Sequence, residues 1–291
     1  MNSPAYDKEL KKSGLIFLED PYGVDIIERW NLLLDPLFNQ RDGKRSYVNA
    51  KELLDLGILN DIFSPAFRNV LRAIMPDAVL YHCHVYEIDA HQTTSHIHQG
   101  SNLGWHRDEE CMVKYEPDNY HFLSYFVYLT DVKEESGPFE LAPFKPSQAA
   151  KRNMPTIKVL GKRGTAFIWN RAYRHRACPN TSDTRRRLLK LSFQHNSLTN
   201  DRIHLPEFKE VLNQVNNQDE YLAFLFGAKY PDNGSQHALP EEKPSAIIPM
   251  RSLVTNSMMD VTRVGLIKMN YLKPLYNRIK ERLGKGAMEP Q

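Results

Sequence analysis

Between residues 78 and 196 the chain sustains no helical period. It passes through short β-branched and aromatic runs at 79–88, 122–130, 139–142, 156–160, 165–169 and 188–193, punctuated by glycines or polar clusters. Runs of this length and spacing bury one sheet against another, so the expected fold is mainly β, a double-stranded β-helix of the jelly-roll or cupin-like kind, with helices packed outside it. Upstream, residues 14–18 read as a short strand. Ile26, Ile27, Trp30, Leu33, Leu34 and Leu37 then recur at helical spacing, and the Asp-Gly of the 39–45 segment ends that helix. Ser64-Pro65 marks a second helix start, an N-cap followed by proline at the first helical position, with Phe67, Val70, Leu71 and Ile74 on one face.

The β region also carries the chemistry. Trp105-His106-Arg107-Asp108 places an imidazole and a carboxylate two residues apart, and in an extended segment both project to one side while Arg107 projects to the other. His175 lies far enough along the chain to return on a different strand. Two histidines and one carboxylate form the facial ligand set of a non-haem iron(II) site, and they leave three octahedral positions for a bidentate 2-oxo acid and oxygen. An arginine beyond the distal histidine is what a dicarboxylate co-substrate requires, because the guanidinium fork meets a carboxylate through two bonds and stays charged. Arg185, Arg186 and Arg187 are consecutive, and strand alternation turns Arg186 opposite to the other two.

These residues resemble the phytanoyl-CoA dioxygenase-like branch of the iron(II)- and 2-oxoglutarate-dependent oxygenases. The resemblance runs over roughly 14–194 and is densest over 105–194. It rests on Trp105-His106-Arg107-Asp108, on 128–132, on Ser136-Gly137-Pro138-Phe139-Glu140-Leu141-Ala142-Pro143, and on the His-x-x-x-Pro-Asn segment of His175 to Asn180. It implies His106, Asp108 and His175 as iron ligands. It implies Arg186, eleven residues past His175, as the partner of the distal carboxylate of 2-oxoglutarate, with Arg185 or Arg187 taking the role if a bulge shifts the register. The implied reaction consumes O2, decarboxylates 2-oxoglutarate to succinate and CO2, and hydroxylates a substrate. Retention of Asp108 argues against a halogenase, while desaturation, ring closure and epoxidation stay open. Two departures stand out: Pro143-Phe144-Lys145-Pro146-Ser147 replaces a Pro-Gly-Ser-His turn, and Ala177 replaces a serine two residues after the distal histidine.

Other motifs are weaker. His82-Cys83-His84 suggests a cupin-type pair, but Glu87 follows too soon for that ligand spacing. His96-Ile97-His98, with His91, Gln99 and Asn102, fits a loop at the substrate mouth. In the 122–128 strand Tyr125, Phe126 and Tyr128 are candidates to pack against the co-substrate, and Phe126 is the assigned contact. Tyr173 is expected on the site side with His175, and Arg174 and Arg176 on a solvated opposite face. Cys178 reads as a small packed residue rather than a redox-sensitive thiol. A small or medium polar metabolite is the expected substrate, ahead of an acyl thioester.

With 291 residues the chain suits one oxygenase domain, 1–200, followed by a helical extension over 201–291 that packs on the core or forms a lid. Residues 206–215 and 219–226 look helical, and 230–249 reads as a loop. Over 263–285 seven basic residues stand against one acidic, interleaved with Val264, Ile267, Tyr271, Leu275, Ile279 and Leu283. Such a helix suits docking on the β core with a solvated basic face, ahead of a homodimer contact, an acidic partner or an anionic membrane surface. A net charge of +3, from 38 basic and 35 acidic side chains, argues against nucleic acid as a partner of the whole chain. Three scattered cysteines and the shortness of every apolar run point to a soluble, reducing, cytoplasmic setting. The competing class is a non-catalytic jelly-roll binding module placed at a membrane by its basic tail.

Overall fold

The computed structural model describes residues 3–18, 20–39, 47–93, 104–108, 121–143, 156–196, 206–215 and 218–227. The chain opens with α1 (Ser3–Ser13), β1 (Leu15–Leu18), α2 (Val24–Asn39), β2 (Tyr47–Asn49), α3 (Ala50–Asp55), α4 (Ile58–Ile62) and α5 (Pro65–Ile74). The β region follows as β3 (Ala78–Ile88), β4 (Phe122–Tyr128), β5 (Phe139–Ala142), β6 (Ile157–Val159), β7 (Ala166–Asn170), β8 (Arg174–Ala177) and β9 (Arg186–His195). Two helices, α6 (Pro206–Val215) and α7 (Glu220–Leu225), come last.

All pairings are antiparallel. A major sheet runs β1-β7-β4-β9-β3-β2 and a minor sheet runs β6-β5-β8, the two-sheet architecture expected of a jelly roll. The long strands β3 and β9 pair from Ala78↔His195 to Ile88↔Arg186, with an irregularity between Leu80 and His82 that restores the alternation needed farther along.

Alternation sorts the major sheet into two faces. Cys83 and Val85, Leu123, Tyr125 and Val127, Ala166 and Ile168, and Leu189, Leu191 and Phe193 join one large core with Ile27, Trp30 and Leu34 of α2 and Phe67 and Leu71 of α5. The other face sets Phe126, Tyr128, Phe167, Trp169 and Leu188 against Phe139, Leu141 and Val159 of the minor sheet. Each face has its own apolar cluster because a strand buried on both sides supplies alternate residues to both.

The anticipated α5 is present, with Ser64 Oγ accepting from Phe67 N–H and Pro65 in the first turn. The helices α1, α3 and α4 and the strand β2 were not anticipated. The α3 start is a reciprocal capping box, in which Asn49 Oδ1 accepts from Glu52 N–H at 3.0 Å and Glu52 Oε2 accepts from Asn49 N–H at 3.1 Å. The α6 and α7 helices fall where helical segments were expected. They pack Phe208, Val211, Leu222 and Phe226 into the helical core, and Arg68 on α5 bonds Asp219, the N-cap of α7, at 2.9 Å. The 230–249 loop and the 263–285 basic pattern lie outside the described residues, as do His96, His98, Gln99, Asn102 and Cys111. Among the described residues no helix is long and apolar enough to cross a membrane.

Candidate metal centre and adjoining chamber

A backbone bridge brings two imidazoles together. His106 and His175 form an isolated antiparallel pair beside β8, with His106 N–H donating to His175 C=O at 3.1 Å and His175 N–H to His106 C=O at 2.9 Å. Directly opposed residues project to the same side, and the two ring centroids lie 4.3 Å apart. Asp108, two residues beyond His106, joins them. Its Oδ1 is 4.0 Å from His106 Nε2 and its Oδ2 is 3.6 Å from His175 Nε2, and the three ligand atoms all lie within 4.8 Å of one another.

The rings are also turned correctly. His106 Nδ1 donates to Gly104 C=O at 2.8 Å and His175 Nδ1 to Tyr173 C=O at 3.2 Å, because a carbonyl can only accept. In its neutral form each ring keeps its Nε2 lone pair free of these backbone bonds, the arrangement a metal-ligating histidine needs. Burial lowers the His175 pKa to about 3, so the ring stays an uncharged ligand. Burial opposes ionisation of Asp108, but Arg171, His175 and Lys190 outweigh it and hold the carboxyl well below the usual range. This donor set fits a divalent transition metal.

Arg171 was missed by the sequence reading. It sits in the turn between β7 and β8, 2% exposed, and brings both Nε and Nη2 to Asp108 Oδ2 at 2.8 Å. A single arginine in a short turn gives no pattern from which this contact could be read. Arg107, expected to project outward, is half-buried.

The arginine run divides as alternation requires. Arg187 turns to the helical side, donating from Nε and Nη2 to Glu87 Oε1 at 2.8 and 2.6 Å and from Nη1 to Asn31 Oδ1 at 2.9 Å. Arg185 is more exposed and lies 3.4 Å from Glu87. Arg186 turns to the inner face, 1% exposed, where Nη1 donates to Gly137 C=O and Nη2 to Tyr86 Oη at 3.0 Å. Gly137 adopts φ 71°, and a Cβ there would come within 3.0 Å of Cys178 C=O, so the turn that presents its carbonyl to Arg186 excludes other residues.

Between Arg186 and the triad lies an aromatic wall. Phe126 packs edge-on against Phe139, Phe167 and Trp169 at 5.3, 5.5 and 5.5 Å, and Trp169 lies 4.3 Å from the His175 ring. Of the three candidates on β4, Phe126 and Tyr128 join this inner cluster, whereas Tyr125 stacks on Phe67 in the helical core. Tyr173 is buried in the inner cluster. Arg176 corrects an expectation. It is not solvated but bonds Glu140 Oε2 at 2.7 Å and lies 4.8 Å over the Trp105 ring. Cys178 is buried and donates to Glu140, and burial with that carboxylate pushes its thiol up to about 11, away from the reactive thiolate.

Farther along the inner face the sheet becomes polar. The register His82↔Ser192↔Ser124 crosses three strands, and Ser124 and Ser192 bond each other at 2.8 Å with no exposure. His84 pairs with Lys190 in the next row. Burial, then Lys190 and Arg171, lower the pKa values of His82 and His84 to about 2 and 3, so both are neutral polar groups.

No curated protein matches the chain. Solved structures do. AviO1 from Streptomyces viridochromogenes Tue57 aligns with TM-score 0.53 and 13% identity, over 68% of this chain and 97% of that one. EvdMO1 aligns with TM-score 0.52 and 16% identity, over 66% of this chain and 50% of that one. SnoN, a non-heme alpha ketoglutarate dependent epimerase from nogalamycin biosynthesis, aligns with TM-score 0.47 and 15% identity, over 66% and 82%. The first two support the two-sheet fold. A family match described as phytanoyl-CoA dioxygenase (PhyH) covers residues 40–188, more than half of the chain and including all three triad residues and Arg186, and the protein belongs to that family.

Proposed function

We propose that this protein is an iron(II)- and 2-oxoglutarate-dependent dioxygenase that hydroxylates a small or medium polar metabolite. The observation that carries the reading is the convergence of His106, Asp108 and His175 with both Nδ1 atoms tied to backbone carbonyls. His106, Asp108 and His175 would hold the metal, which supplies oxygen activation when bound. Arg186 would take the distal carboxylate of 2-oxoglutarate, and the observation favouring it is its buried Nε, which has no acceptor among the described residues. Phe126 would form an apolar side of the co-substrate site and exclude water from it.

The polar floor of His82, His84, Ser124 and Ser192 supports a substrate with hydrogen-bonding groups over a long acyl chain. The protein's task is to present one carbon of that substrate to the metal and keep the rest away.

The test is a screen of polar metabolites for stimulated conversion of 2-oxoglutarate to succinate. The expected result is an iron-dependent rise with one substrate class, a product heavier by one oxygen atom, and loss of both in Asp108→Ala. A product lacking two hydrogens instead overturns hydroxylation. Equal turnover in Asp108→Ala overturns the enzyme assignment.

A further inference from the structure

The indole nitrogen of Trp169 is an unexplained polar atom at the centre of the molecule. Trp169 is 1% exposed, and its Nε1 has no hydrogen-bond partner among the described residues. A buried tryptophan N–H ordinarily finds an acceptor, and leaving one without is costly. A phenylalanine would fill the apolar part of this site without that cost, as Phe167 does one position away on the same face of β7.

The position of the ring says what such an acceptor would belong to. Strand β7 lies between β1 and β4, and Trp169 is paired with Leu15 on one side and Ser124 on the other. Its ring lies 4.3 Å from His175, 4.8 Å from Phe139 and 5.5 Å from Phe126. It therefore stands between a metal ligand and the apolar cluster on the side of the sheet that Arg186 faces. Two buried N–H donors without acceptors among the described residues, Trp169 Nε1 and Arg186 Nε, thus belong to side chains of the same inner face. An N–H can only donate, so the missing partner supplies a hydrogen-bond acceptor.

We propose that the Trp169 N–H is a hydrogen-bond donor to the acid co-substrate, holding an oxygen of the 2-oxo acid on the metal side while Arg186 takes the far carboxylate. The proposal rests on the co-substrate reading above and adds to it a residue that chooses the orientation of the bound acid. Such a donor favours a 2-oxo dicarboxylate over a dicarboxylate of the same length without the oxo group.

The experiment is calorimetric titration of 2-oxoglutarate into the full-length protein loaded with Mn(II), which removes turnover from the readout. Trp169→Phe keeps an aromatic ring and deletes the N–H. Replacement by benzothienylalanine keeps the bicyclic shape as well, and serves if the phenylalanine variant does not fold. The expected result is about a twofold to tenfold rise in the Kd for 2-oxoglutarate, the range for loss of one bond to the neutral 2-oxo oxygen, with unchanged Mn(II) affinity. Glutarate affinity is expected to change far less. Wild-type affinity in both variants overturns the proposal alone, leaving Trp169 as a wall. Failure of the unaltered protein to bind 2-oxoglutarate overturns the co-substrate reading and this proposal with it.

Discussion

The two faces of the major sheet are made by the same strands and do opposite work. Strand β9 sends Leu189, Leu191 and Phe193 into the helical core and Arg186, Leu188, Ser192 and Gln194 to the inner side. On the helical side Arg187 is bonded to Glu87 and Asn31 and paired with Asp35. On the inner side its neighbour Arg186 keeps a buried Nε donor without an acceptor among the described residues. The first arginine holds the fold together, and the second is the one proposed to meet the co-substrate.

The sharpest way to break this contrast is to exchange the effects of the two arginines. Arg186→Met is expected to weaken 2-oxoglutarate at least about a hundredfold, since a bidentate charged contact is lost. Arg187→Met leaves Glu87 largely buried and is expected to cost about 3 kcal/mol of stability while the folded fraction binds 2-oxoglutarate normally. Denaturant titration and calorimetry on both variants check the pair, and equal loss of ligand affinity in the two would erase the distinction between the faces.

A smaller effect is expected from Arg171. Because it binds one oxygen of Asp108 it aims the carboxylate, and Arg171→Gln is expected to weaken Mn(II) about tenfold, the low end for an outer partner of a metal ligand. Electron paramagnetic resonance of free Mn(II) measures it. Unchanged affinity would make Arg171 a packing residue only.

The inner face also predicts a pH dependence. His82 and His84 take up protons near pH 6.5 in the unfolded chain but only near 2 and 3 in the folded one. Their contribution to stability is therefore complete above pH 6.5 and lost as pH falls toward 3, each adding at most about 1.4 kcal/mol per pH unit to the slope. Urea denaturation of metal-free protein at pH 7 and 5 checks this, and His84→Phe should flatten the difference. On the helical side, removing the α5 cap with Ser64→Ala is expected to cost about 1 kcal/mol with no change in ligand affinity.

Much of this was legible in the chain because alternation is a local rule. It separated Arg186 from Arg185 and Arg187, paired His106 with Asp108, and placed Tyr173 beside His175. The short helices escaped because five or six residues are too few to display a period. Arg171 and the Arg176–Glu140 pair escaped for a different reason. Both are contacts between segments distant in sequence, and no spacing encodes which oxygen a guanidinium will reach once two sheets close. The indole nitrogen of Trp169 was equally invisible, since only the packed structure shows that no acceptor among the described residues meets it.

The central claim is that the inner face builds one metal-dependent site for a 2-oxo acid. Its most direct test is the visible spectrum of the protein with iron(II) and 2-oxoglutarate under anaerobic conditions. The account predicts a charge-transfer band that requires both additions, disappears in His106→Ala, and persists in Arg187→Met. A flat spectrum from folded protein, or a band that survives loss of His106, would contradict it.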